Sequence, residues 1–84
     1  MRAVTERVWR MARRGINLRR MLARNVRRLR LERKLNQEQL ADAALLSQAQ
    51  ISSIESAKVN IRLDSLQRLA TTLGTRPADL LDDE

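Results

Sequence analysis

Two short amphipathic segments separated by three residues constrain the fold of this chain more than any other feature. In Gln37–Ala44, leucine and alanine recur at helical spacing, and in residues 48–56 Ile51 and Ile54 share one face. Between the segments lies Leu-Leu-Ser, and the hydroxyl of Ser47 can accept a hydrogen bond from a free backbone N–H of the second segment. The stretch therefore predicts two short helices joined by a tight turn.

The composition favours a small all-helical domain around these two segments. The chain has 84 residues, two glycines, one proline, no cysteine and a single aromatic residue, Trp9. A core of this size is marginal, and few residues suit the turns of a sheet. No apolar run approaches the roughly 20 residues that span a bilayer, and the N-terminus lacks the apolar stretch of a signal peptide. We therefore expect a cytoplasmic protein with no membrane partner.

The charge is unevenly distributed along the chain. Seventeen Lys and Arg against ten Asp and Glu give a net charge of +7. Residues 1–21 hold seven arginines and one glutamate, whereas residues 79–84 hold four acidic groups. A basic end of this kind predicts a polyanionic partner, although a solvated charged surface would have the same composition.

A longer helix is predicted before the two central ones. Asn17 is a suitable N-cap, and the helix should continue to about residue 34. Its inner face is a stripe of apolar residues at helical spacing: Leu18, Leu22, Val26 and Leu29. Arg30 lies beside this stripe on the core side, so its charge requires a partner.

The remaining helix boundaries also have local signals. Asn36 and Gln39 have the spacing of a capping box at the start of the first central helix. A fourth helix over Leu63–Leu73 would end at Gly74, which tolerates a left-handed conformation. Pro77 then suits the first turn of a last short helix.

Residues 1–20 are expected to form a basic N-terminal arm or short helix in front of a domain spanning 21–84. Three apolar residues of the arm share one helical face: Val4, Val8 and Met11. A helix of about three turns is not stable alone in water. The segment could follow DNA phosphates, or pack on the domain or a second subunit with Trp9 as its anchor. It could also be an extension of little consequence.

Two short helices joined by a tight turn form a helix-turn-helix unit. In such units the second helix lies in the DNA major groove and the first braces it against the backbone. The second helix is uncharged from Ser47 to Ser53, in a chain that is otherwise highly charged. This face suits base edges, and we predict double-stranded DNA as the partner.

Four short motifs occur in the order and spacing of a known family. They are residues 26–30 (VRRLR), 36–41 (NQEQLA), 51–55 (ISSIE) and 66–74 (LQRLATTLG). Together they resemble the phage repressor and Cro-like regulators of the bacterial XRE family. Residues 58–61 (KVNI) additionally resemble the controller proteins of restriction–modification systems. The resemblance implies an all-α, five-helix lambda-repressor-like DNA-binding domain, here with an extra basic N-terminal segment.

The resemblance further implies a transcriptional regulator that binds a palindromic operator as a homodimer. Bases would be read by Gln48, Ala49, Gln50, Ser52 and Ser53. Phosphates would be bound by Asn36, Gln37, Ser47, Ser56, Lys58, Asn60 and Arg27. Glutamine can read adenine bidentately, serine is permissive, and alanine contacts a thymine methyl. Arg30 and Glu55 would form a partly buried ion pair, and Thr75, Arg76 and Leu81 would belong to the dimer surface.

Three positions depart from the family pattern. Leu45 stands in the turn where glycine is usual, and Ala57 replaces a second glycine after the next helix. A positive φ is unfavourable for both residues, so we expect a less sharp or locally strained turn. Arg62 replaces the small polar cap expected before the fourth helix.

Other functional classes fit the sequence less well. An antitoxin that binds a partner protein through residues 1–20, as well as DNA, is the alternative. A membrane-surface role is disfavoured because the apolar face of the arm is small. The chain has no His or Cys and no glycine-rich phosphate loop, so we expect no enzymatic activity, no metal and no cofactor.

Overall fold

A computed structural model describes residues 17–82, which form five α-helices. They are α1 (Leu18–Glu32), α2 (Gln37–Ala44), α3 (Gln48–Glu55), α4 (Leu63–Leu73) and α5 (Pro77–Leu80). Within this range the all-helical, five-helix prediction is confirmed. The expectations for residues 1–16 lie outside the described residues. None of the described helices is both long enough and apolar enough to cross a membrane.

The helices enclose one aliphatic core. The described side chains that are completely buried include Leu40, Ile51, Leu69, Leu73 and Leu80, which come from four of the five helices. From α1, Leu22, Val26 and Leu29 join this core as the predicted stripe requires. Leu18 lies at the end of that stripe and is 54% exposed. Every helix therefore contributes side chains to the core, which brings together residues that are far apart in the sequence.

The predicted N-caps are present at α1, α2 and α3. Asn17 Oδ1 accepts a hydrogen bond from Arg20 N at 3.1 Å. Asn36 and Gln39 form a reciprocal capping box at α2. At α4 the cap residue Arg62 makes no side-chain cap bond, and Asp64 Oδ1 accepts from Ser65 N instead.

Four helices end in the same way, on a residue with left-handed backbone conformation. The φ angles are 57° at Lys34, 60° at Leu45, 59° at Ala57 and 70° at Gly74. After each of them the next amide donates to a carbonyl five residues earlier, for example Leu46 N to Ala41 O at 2.9 Å. This is the Schellman pattern, which prefers glycine. The turn between α2 and α3 is thus as sharp as a turn made with glycine. Leu45 and Ala57 both adopt the positive φ that is unfavourable for residues with a side chain.

Asn25 fastens α5 to α1. The side chain is completely buried, and its Nδ2 donates to the carbonyl oxygens of Leu80 and Asp82, each at 2.9 Å. Leu80 O is the last carbonyl of α5 and has no intrahelical partner, so this amide satisfies a group that burial would otherwise leave unpaired. Nothing near Asn25 in sequence indicates this role, because its partners lie more than 50 residues away.

Candidate nucleic-acid interface

Helix α3 projects an uncharged face from the α2–α3 unit. It packs against both α1 and α2, with Ile51 and Ile54 turned into the core. Gln48, Ala49 and Ser52 are exposed, and Ser53 is half-buried. The predicted base-reading residues of the first turn therefore lie on the surface.

The start of α3 is held by a capping box that uses two predicted DNA-contacting side chains. Ser47 Oγ accepts from Gln50 N at 3.0 Å, and Gln50 Oε1 accepts from Ser47 N at 2.8 Å. While this box is closed, the carbonyl oxygen of Gln50 is directed to Ser47 N, whereas its amide N–H groups stay free. Bidentate reading of adenine needs the carbonyl as well, so Gln48 is the glutamine that has both groups free for it.

Glu55, at the end of α3, is bonded to residues from two other elements. Its Oε2 accepts from Arg30 Nε at 2.6 Å, and its Oε1 accepts from Arg30 Nη2 at 3.0 Å. Gln37 Nε2, from the start of α2, also donates to Oε1 at 3.3 Å. The arginine and glutamate side chains are only 10% and 5% exposed. One carboxylate therefore fixes α1, α2 and α3 relative to each other.

All three guanidinium nitrogens of Arg30 donate hydrogen bonds in this cluster. Its remaining terminal nitrogen, Nη1, donates to Leu35 O at 2.9 Å in the α1–α2 turn. The hydrogen bond to Glu55 raises the pKa of Arg30, against the lowering effect of burial. Because the charges of Arg30 and Glu55 cancel, the cluster carries no net charge beside the Gln37 amide.

Several of the side chains predicted to bind phosphate already have partners within the chain. Lys58 and Arg27 are exposed. Ser56 Oγ donates to Ser52 O at 2.8 Å, which occupies its hydroxyl hydrogen. Asn60 Oδ1 accepts from Arg19, whose Nε lies 3.2 Å away and whose Nη2 also donates. Asn60 can thus offer a phosphate only its amide N–H groups while Arg19 is bound.

Sequence reasoning missed three residues that shape this surface. Arg19 joins the loop beside α3 although it is 41 residues from Asn60. Arg68 Nε donates to Ala44 O at 3.0 Å, and Thr72 Oγ1 donates to Ala43 O at 3.4 Å. Both α4 side chains cap the exposed carbonyls at the end of α2, where positive charge is also favourable. No local signal identifies them, because each contact joins distant segments.

The surface that the family resemblance assigned to the dimer contains a local ion pair. Arg76 Nε and Nη2 donate to Asp79 Oδ2 and Oδ1 at 3.2 Å and 3.1 Å. Thr75 Oγ1 donates to the same Oδ2 at 3.0 Å. These hydrogen bonds lower the pKa of the Asp79 carboxyl group to about 2, and the bond from the Arg76 side chain has the largest effect. Leu81 is half-buried at the edge of the core.

The five-helix fold and the exposed, uncharged face of α3 define a DNA-binding helix-turn-helix protein. The Helix-turn-helix family model matches residues 26–80. The chain therefore belongs to this family, in its XRE branch of transcription regulators.

Three known proteins illustrate the similarity. Control protein C.BamHI of Bacillus amyloliquefaciens is 37% identical over 67 residues, which are 79% of this chain and 83% of that protein. The Immunity repressor protein of Bacillus phage phi105 is 33% identical over 63 residues, 75% of this chain. The match spans only 44% of that repressor. The crystal structure of the restriction-modification controller protein C.AhdI from Aeromonas hydrophila superposes with a TM-score of 0.71 at 29% identity. That alignment covers 74% of this chain and 94% of C.AhdI. None of the three is described as an antitoxin, so these comparisons lend that alternative no support.

Proposed function

We propose that the protein regulates transcription as a homodimer on an approximately palindromic operator. The observation that carries the proposal is the exposed face of α3, on which Gln48, Ala49 and Ser52 are uncharged and free of core packing. In a two-fold dimer, two such helices would meet half-sites about one DNA turn, roughly 34 Å, apart. Thr75, Arg76 and Leu81 are our candidates for the dimer surface.

Affinity and specificity would come from different residues. Lys58 and Arg27 supply exposed positive charge, and Gln37, held by Glu55, supplies an oriented amide for a phosphate. The capping boxes direct the free backbone N–H groups of α2 and α3, which also favour phosphate. Gln48 would read a base with both amide groups, whereas Gln50, whose carbonyl oxygen already accepts from Ser47 N, would contribute chiefly its N–H groups.

The controller proteins suggest a narrower role. The similarity to C.BamHI covers 83% of that protein, and the similarity to C.AhdI covers 94% of that chain. On this proposal the protein controls the expression of a restriction–modification system.

Selection of bound sequences from random duplex DNA at physiological salt tests the proposal. We expect an enriched motif with two-fold symmetry. Q48A should relax one position in each half-site by about 1–3 kcal/mol of discrimination. Q67A is the matched control, because Gln67 is an exposed glutamine on α4, outside the α2–α3 unit. Binding without an enriched motif, abolished by modest salt, would contradict specific recognition.

A further inference from the structure

An apolar groove opens on the side of the domain where α1 begins. It has a volume of about 600 Å³ and lies between the first turns of α1, residues 59–61 and the end of α5. Its apolar lining includes Leu18, Leu22, Ile61, Leu63, Leu66 and Leu81. No described residue fills this space.

Two of the groove residues are among the most exposed large apolar side chains that the structure describes. Leu18 is 54% exposed and Leu63 is 83% exposed. Single exposed leucines are ordinary, but two that border one largely apolar groove indicate a surface with a partner. Leu31 and Leu45, at 55% and 78% exposure, lie outside the groove and serve as a comparison.

We propose that residues 4–11 of the same chain cover this groove, with Val8 and Trp9 packed against Leu18 and Leu63. Asn17, the first described residue, itself lines the groove, so the preceding chain enters at its rim. A connection of a few residues makes docking intramolecular, with a high effective concentration. Gly15 can adopt the backbone angles that a reversal of direction requires.

The groove is lined largely by apolar side chains, and residues 4–11 supply apolar side chains to match it. Residues 4–11 carry Val4, Val8, Trp9 and Met11. A buried tryptophan removes a large apolar area from water, and a groove of this volume accommodates several such side chains. A helix this short gains stability only by packing its apolar face. The groove supplies the surface that the stripe of valines and methionine lacks.

The fluorescence of Trp9 tests the proposal directly, because the chain contains no other tryptophan, no tyrosine and no phenylalanine. In the folded full chain without DNA, we expect the emission to be blue-shifted from that of the urea-unfolded chain and protected from acrylamide quenching. L18Q/L63Q should abolish both effects, while circular dichroism shows that the helices remain. The matched control L31Q/L45Q replaces two leucines of nearly equal exposure and should leave the emission unchanged.

Other outcomes would overturn the proposal. Emission identical to that of the unfolded chain would mean that Trp9 is not docked. A blue shift that survives L18Q/L63Q would place Trp9 elsewhere, and one that disappears on dilution would assign the contact to a second copy. Shielding that arises only on addition of duplex DNA would place the segment on DNA. The test does not depend on sequence-specific binding, so it can fail while the proposed function stands.

Discussion

The α2–α3 unit and the C-terminal corner, residues 73–82, share two features. Each contains a helix that ends at a residue with left-handed backbone conformation, and each contains a carboxylate that pairs with an arginine. In the unit the left-handed residue is Leu45, and in the corner it is Gly74. Both pairs use the Nε and Nη2 atoms of the arginine, and each is bidentate. The two regions therefore permit a comparison in which geometry is nearly constant and the surroundings differ.

The surroundings decide what each pair does. Arg30 and Glu55 are 25 residues apart and nearly inaccessible to solvent, whereas Arg76 and Asp79 are three residues apart, with side chains 81% and 37% exposed. The buried pair joins α1 to α3, and its glutamate also accepts a hydrogen bond from Gln37. The exposed pair only closes the first turn of its own short helix. Burial and sequence separation, more than the ion pair itself, give the first pair its structural role.

The largest expected difference between the two regions comes from removing each carboxylate. E55A should lower the free energy of unfolding by about 3–5 kcal/mol, because it leaves a buried guanidinium without its partner. D79A should have a much smaller effect, because solvent screens the exposed pair. Urea unfolding of both variants and the unmodified chain, followed by circular dichroism, measures the difference.

E55Q extends this comparison if E55A does not fold. Glutamine keeps the shape and can still accept from Gln37, so the loss should be smaller than in E55A but larger than in D79A. DNA binding by folded E55Q should also weaken, since Gln37 loses a charged partner. Equal stability losses for the Glu55 and Asp79 variants would refute the structural distinction between the pairs.

The comparison also shows why some of the fold could be predicted from the sequence. Helix limits such as Gln37–Ala44 and Leu63–Leu73 were predicted correctly, because caps and apolar spacing act within a few residues. Asn36 and Ser47 cap as predicted for the same reason. The αL residue Gly74 was predicted because glycine prefers that conformation.

The features that could not be predicted are of two kinds. Some are contacts between residues far apart in the sequence, and others are backbone conformations that tertiary packing imposes against the local preference of the residue. The caps that Arg68 provides for α2 and Asn25 for α5 join segments 24 or more residues apart. Leu45 adopts the left-handed conformation because packing of α2 on α3 requires the turn, in spite of local preference. On the candidate interface, the sequence indicates which side chains are polar, but not that Gln50 and Asn60 have intramolecular partners.

Changes of intermediate size in the free energy of unfolding are expected at the residues with left-handed backbone conformation. L45G should stabilise the chain by about 0.5–1 kcal/mol, since relief of roughly 1–2 kcal/mol of left-handed strain exceeds the entropy glycine adds to the unfolded state. Leu45 is 78% exposed, so little burial is lost. G74A should destabilise by about 1 kcal/mol, because alanine is strained at a φ of 70°. A new Cβ there would lie 3.3 Å from Arg33 Nη2, a flexible group that can move.

Thermal or urea unfolding of the two single variants measures these opposite signs. The double variant L45G/G74A exchanges the residue types between unit and corner, and its effect should be the sum of the single effects because the sites share no partner. Destabilisation by L45G would show that the leucine contributes contacts in solution that outweigh its backbone strain.

The smallest expected effect is the pH dependence of the corner. Arg76 and Thr75 hold the pKa of Asp79 at about 2, below its ordinary value of 3.8. A carboxyl group with a lowered pKa contributes stability that is complete above its unfolded-state pKa and is lost as the pH falls through the folded-state value. The contribution of Asp79 should therefore be constant above about pH 5 and disappear between about pH 4 and pH 2.

D79N isolates this contribution, because all other carboxyl groups titrate in both proteins and cancel in the difference. We expect the difference in unfolding free energy between the unmodified chain and D79N to shrink steadily from pH 5 to pH 2. High salt should reduce the difference at pH 5, since the pair is exposed to solvent. A difference independent of pH would mean that Arg76 does not hold the carboxylate in solution. In that case the corner would depend on Asn25 and the buried Leu80 alone, and its likeness to the Arg30–Glu55 cluster would be limited to geometry.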